Sequence, residues 1–184
     1  WYAFRIGAGV GVDERGGVIV NISHSAVPDV DSVLSVYDGL GYLVREANSR
    51  GKGVPEKLAN ILLADGDYYV KLASSESGQQ NGEVGYLLRI EEAAGGPREA
   101  EPNDKYPSAN PLGFSREVEG NFNPAGDEDW YRLDVYDPGP QILTVRVSPT
   151  AELDPVIDFF DSSETLMLRV DSRGKDEGEI MRNM

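Results

Sequence analysis

The chain has no cysteine among its 184 residues. That excludes a disulfide framework, a thiolate nucleophile and any cysteine-ligated zinc site. It has a single histidine, His24, and neither a Gly-x-Ser-x-Gly elbow nor a His-Glu-x-x-His pair. The residue sets of serine hydrolases and zinc peptidases are therefore missing. His24 lies between Ser23 and Ser25 at the end of an apolar run and is expected in a surface loop. No run approaches the roughly 20 apolar residues of a membrane-spanning helix. No segment sustains a 3.6-residue apolar period, and only Pro55–Ile61 reads as a helical turn. Positive charge is scarce: 17 basic against 32 acidic residues give a net charge of −15. Such a surface repels phosphate backbones and anionic lipid, so neither nucleic acid nor a membrane surface is an expected partner. Carboxylate pairs are numerous by composition alone, and none stands out as a glycosidase-type acid/base couple. The chain starts at Trp1 without an initiator methionine or a signal peptide, as expected of a mature product or a fragment.

What is present are short apolar runs punctuated by 21 glycines and 11 prolines. Val18–Ser23, Val33–Asp38, Tyr68–Ala73, Tyr86–Ile90, Trp130–Val135, Leu143–Val147 and Val156–Asp161 read as strands by alternation and β-branched or aromatic content. Short strands at this spacing predict an all-β fold of antiparallel sandwiches. Tyr37, Tyr42, Tyr68, Tyr69 and Tyr86 at strand positions are expected to fill the core or its edge. The glycine-rich segment Gly7–Gly17 has no helix after it and so does not read as a phosphate loop.

The chain also repeats itself. Trp1-Tyr2-Ala3-Phe4-Arg5-Ile6 aligns with Trp130-Tyr131-Arg132-Leu133-Asp134-Val135 at an offset of 129. Asp31–Asp38 aligns with Asp154–Asp161, and Asn48-Ser49-Arg50-Gly51-Lys52 with Asp171-Ser172-Arg173-Gly174-Lys175, both at an offset of 123. The register runs on to Asn60 and Asn183, and a loop at Gly7–Gly17 absorbs the difference. The copies are displaced. The first has no counterpart of Glu99–Asp129, and the second has none of Leu62–Glu91. The expected organisation is two tandem modules, 1–93 and 99–184, joined by a linker at 94–98 that includes Gly95-Gly96-Pro97.

At the start of the second module, Glu99, Glu101, Asn103 and Asp104 place four oxygen-bearing side chains within six residues. Asp127 and Asp129 flank a turn further on, where alternation can point both to one side. Carboxylates with an amide oxygen and no nitrogen or sulfur ligand suit a hard cation such as Ca²⁺. The same residues also suit a solvated acidic linker with an Asx-type turn at Asn103-Asp104.

The ordered set Glu101-Pro102-Asn103-Asp104, Val118-Glu119-Gly120 and Gly126-Asp127-Glu128-Asp129-Trp130-Tyr131 resembles the bacterial pre-peptidase C-terminal (PPC) domain. So do the Asp154–Asp161 strand and, in the first copy, Gly66-Asp67-Tyr68-Tyr69-Val70 and Tyr86–Ile90. The resemblance implies jelly-roll-like sandwiches that accompany exported peptidases without being catalytic. Collagen-binding relatives carry calcium at the start of the module, which implies Glu99, Glu101, Asn103 and Asp104 as ligands, with Asp127 and Asp129 similar to a downstream aspartate pattern.

The expected function is therefore a secreted or cell-surface, non-catalytic accessory module of a larger bacterial protein. Its expected partners are neighbouring domains, extracellular protein or polysaccharide. The alternative is a structural repeat of a fibre or surface assembly. There, strands missing from each displaced copy would be supplied by neighbours in a head-to-tail homopolymer.

Overall fold

A computed structural model of the chain describes residues 1–7, 15–93, 96–136, 139–149 and 152–183. Most of the Gly7–Gly17 loop, and part of the linker expected at 94–98, lie outside the described residues. The described chain is almost entirely β, with no α-helix and one 3₁₀ turn at Tyr106–Ser108. The Pro55–Ile61 stretch, expected as a helical turn, instead leads into a strand that begins at Lys57.

The chain divides into two compact units, Trp1–Asp134 and Val135–Met184. The linker expected at 94–98 falls inside the first unit. Residues 99–134 pack with the first module rather than opening a second one.

In the first unit, β1 (Tyr2–Ile6), β6 (Gly66–Ser74), β3 (Ser32–Asp38) and β4 (Leu43–Ala47) form one antiparallel sheet, in the order β1-β6-β3-β4. The second antiparallel sheet has the order β5-β2-β7, from Lys57–Leu63, Val18–His24 and Leu88–Glu92. Val20 and Ile22 of β2, and Leu58, Ile61 and Leu63 of β5, face Leu34 and Val36 of β3 and Val70 of β6. All of these are buried. This is the packing of a β-sandwich. Each such aliphatic side chain contributes about 1.5–3 kcal/mol by leaving water.

β2 and β5 slip register between Val20 and Ile22. At this irregularity the Asn21 side chain accepts the Asn60 N–H at 3.1 Å, and Asn60 takes a left-handed φ of 52°. β5 is the terminal strand of its sheet, so its outer edge is open to the chain that follows the linker. Glu101 N–H donates to the Asn60 carbonyl and Leu62 N–H to the Glu101 carbonyl, a parallel bridge between Ile61 and Glu101. β8 (Asn110–Pro111) and β9 (Tyr131–Arg132) make a short parallel ladder beside it. The strand expected over Trp130–Val135 is thus only two residues long, Tyr131–Arg132.

His24 is buried in β2 rather than exposed in a loop. Its Nε2 accepts the Glu56 backbone N–H at 3.0 Å and lies 3.0 Å from Ser32 Oγ. The proton therefore sits on Nδ1, which donates to the Ser25 carbonyl at 2.7 Å. Replacing His24 with leucine should cost about 1–3 kcal/mol in denaturant unfolding, because the buried Glu56 N–H loses its acceptor.

The second unit contains β10 (Thr144–Arg146), β11 (Ile157–Phe160), β12 (Leu166–Val170) and β13 (Ile180–Arg182), paired β10-β13 and β11-β12. It repeats the β2–β5 part of the first unit, down to strand register and turn hydrogen bonds. Asp38 accepts the N–H groups of Leu40 and Tyr42, as Asp161 accepts those of Ser163 and Thr165. Glu56 accepts Ser49 N–H, Ser49 Oγ–H and Arg50 N–H. Glu179 takes the same three donors from Ser172 and Arg173. Both glutamates are buried, so each turn is held by a carboxylate that its own backbone satisfies.

Candidate metal centre

The six acidic and amide residues singled out from the sequence come together in the first unit, against the open edge of β5. The bridge to β5 fixes the Glu99–Glu101 segment on one side. On the other, Asn110 clamps Ala100, donating to its carbonyl at 2.9 Å and accepting its N–H at 2.6 Å. Glu99, Glu101 and Asn103 are consequently all but inaccessible to solvent, at 0%, 1% and 0% exposure. Trp130 N–H donates to the Asn103 carbonyl at 3.1 Å, which brings the Asp127–Asp129 turn against the same segment.

The carboxylates form two groups that share Glu101. Glu99, Glu101 and Asp129 each offer an oxygen within 4.8 Å of the others, and so do Glu101, Asp104 and Asp127. Oxygens bound to one Ca²⁺ at about 2.3–2.6 Å lie within roughly 5 Å of one another, so either group has metal-site dimensions.

The two groups differ in what neutralises them. The second group is met by Arg45 of β4. Its guanidinium contacts Asp104, reaches Asp127 Oδ1 at 2.5 Å and lies 3.5 Å from Glu101 Oε2. Asp127 also accepts the Asn123 N–H at 2.6 Å. In the first group, Glu99 Oε1 takes a hydrogen bond from Asn60 Nδ2 at 3.0 Å and from Asn121 N–H at 2.6 Å. Tyr131 O–H donates to Glu99 Oε2 at 3.4 Å. No cationic side chain is bonded to Glu99 or Asp129 among the contacts of the described residues. Glu101 Oε1, Asp129 Oδ1 and both amide atoms of Asn103 are buried without any hydrogen-bond partner. Buried polar atoms are almost always paired, and three orphaned oxygens within this one acidic cluster, Glu101 Oε1, Asn103 Oδ1 and Asp129 Oδ1, call for a cation.

The electrostatics agree. Burial first, and then the neighbouring charges of Asp127 and Asp104, push Glu101 up to about 8 despite Arg45. Burial, followed by the charge of Glu99, pushes Asp129 up to about 8. Asp127 rises to about 6 through burial and its contact with Asp104. In Asp104, burial is the largest influence, but the hydrogen bonds from Arg45 and Asp127 and the charge of Arg45 together outweigh it, and its carboxyl falls below the usual range. A cation in the first group would reverse the rises there.

Gly120 shows how tightly the centre is built. A Cβ there would lie 2.5 Å from Glu99 Oε2 and 3.1 Å from the Tyr131 hydroxyl. Gly120→Ala should therefore displace the Glu99 carboxylate and lower metal affinity by roughly 10- to 100-fold, a loss of the size seen when a ligand's supports are removed. Calorimetric titration measures it.

Sequence reasoning missed Arg45, Asn60 and Asn121. For Arg45 a signal was available, since strand alternation puts it on the same face of β4 as buried Ala47. An arginine on a core-facing position needs an acidic partner. The chain matches no model of a known protein family and no curated protein.

Proposed function

We propose that this chain is a non-catalytic, calcium-stabilised accessory module of a larger exported protein, built on PPC-like sandwiches. The observation that carries the reading is the buried cluster of Glu99, Glu101 and Asp129 with the unpartnered amide of Asn103. Its donors are all oxygen, which favours a hard cation over zinc or copper. The cluster lies where the post-linker segment joins β5. A bound ion there holds two stretches of backbone together, which is a structural role. The same burial leaves the carboxylates poorly placed to meet a substrate. The orphaned oxygens disfavour the plain acidic-linker reading, because a solvated linker would keep them wet.

A second reading, a structural repeat of a surface assembly, is favoured by the repeated turn carboxylates Glu56 and Glu179. An enzyme domain in the parent reading frame supports the first reading; a parent made only of further repeats supports the second.

Calcium titration by calorimetry tests the metal. The chain should bind Ca²⁺, and Asp129→Asn or Glu101→Gln should weaken binding by roughly 100-fold or more, since ligand charge sets Ca²⁺ affinity over several orders of magnitude. No binding heat, together with equal melting temperatures in calcium and in chelator, would overturn the proposal.

A further inference from the structure

The two carboxylate groups invite two metal ions, but the arrangement of cations does not support two. We infer that the centre takes one divalent cation, held by Glu99, Glu101, Asn103 and Asp129, and that Arg45 is the resident cation of the second group. The inference rests on the metal reading above and adds its stoichiometry and the residue that sets it.

The unpartnered carboxylate oxygens are Glu101 Oε1, on the residue the groups share, and Asp129 Oδ1 of the first group, with Asn103 Oδ1 on the same chain segment. Beside the second group the orphans are an amide oxygen of Asn123 and Arg45 Nε, and no oxygen of Asp104 or Asp127 is among them. The second group has its charge answered. Arg45 Nη1 and Nη2 engage Asp104 and Asp127, and Nη2 also donates to the Asn123 carbonyl at 3.3 Å. The Arg45 side chain is 11% exposed and that of Asp127 is 0% exposed, so this pairing is a built feature rather than a surface encounter. A guanidinium spanning three carboxylates occupies the position a second ion would need. Glu101 is the hinge of the arrangement: Oε2 faces Arg45 at 3.5 Å, while Oε1 has no partner and is left for the metal. A shallow pocket lined by Val44, Arg45, Asp104, Pro124 and Asp127 opens the second group to solvent, so an ion can reach it once Arg45 is gone.

Arg45 thus acts as a specificity-determining residue. It fixes the ion count at one, and its loss should convert the second group into a metal site.

Native mass spectrometry of the full chain in calcium acetate tests this directly. The wild type should carry one Ca²⁺, Arg45→Lys one, and Arg45→Met two. Two ions on the wild type, or one on Arg45→Met, would overturn the inference and leave the metal reading standing. No ion on the wild type would overturn both. Should Arg45→Met fail to fold, calorimetry on variants that keep Arg45 still decides. Asp104→Asn should lower Ca²⁺ affinity by about 10-fold, the low end for a residue outside the ligand shell. Glu99→Gln should lower it by roughly 100-fold or more, as loss of a charged ligand does. Equal losses from the two variants would overturn the assignment of Asp104 to Arg45.

Discussion

Removing calcium with a chelator should lower the melting temperature of the first unit by roughly 5–10 °C relative to saturating calcium. An ion that binds only the folded state stabilises it by RT ln(1 + [L]/Kd), about 2.7 kcal/mol at a hundredfold excess over Kd. For a unit of this size 1 kcal/mol moves the midpoint by about 2–4 °C. The effect should depend on pH in a defined direction. Glu101 and Asp129 are raised to about 8 in the folded, metal-free protein. Unfolded carboxylates titrate near 4. Between these values the folded state holds more protons than the unfolded one. Stability of the metal-free protein therefore falls as pH rises from about 4 to about 8. Calcium needs the same carboxylates deprotonated, so its affinity rises across that window. The gap between the calcium and chelator melting temperatures should accordingly be wider at pH 8 than at pH 5. Differential scanning calorimetry at the two pH values checks both the size and the sign. A gap that narrows as pH rises would contradict the assignment of these carboxylates as ligands.

Replacing Arg45 with methionine should destabilise the metal-free first unit by about 3–5 kcal/mol, the usual cost of removing one partner from a buried ion pair. Asp127 and Glu101 would be left as buried carboxylates with no cation between them. Calcium should then restore most of the loss, because an ion can take the place of the guanidinium. Urea unfolding with and without calcium separates the two contributions. A variant that loses little stability in chelator would show that the Arg45 contacts are weak. A variant that loses stability and does not regain it in calcium would show that no cation enters the second group.

The all-β class was legible because it depends on local pattern. Val18–His24 and Ser32–Asp38 alternate, and β-branched residues fit a pleated, half-buried surface wherever they lie in the chain. The duplication was legible for the same reason, since Asp38 and Asp161 each satisfy turn N–H groups two and four residues ahead. The acidic cluster could be named from residue types, because oxygen donors at short spacing are a chemical requirement of a hard cation.

Tertiary structure decided the rest, and in each case through contacts distant in sequence. Where the first unit ends depends on β5, whose open edge accepts Glu101 and so draws residues 99–134 into that unit. A spacing argument cannot see a free strand edge. His24 is buried because Glu56, 32 residues away, needs an acceptor for its N–H. The division of the six candidate residues into a cation-free group and an arginine-filled group depends on Arg45, 59 residues before Asp104. Charge in a sequence is only a sum, whereas the position of a single guanidinium determines which carboxylates are left for a metal.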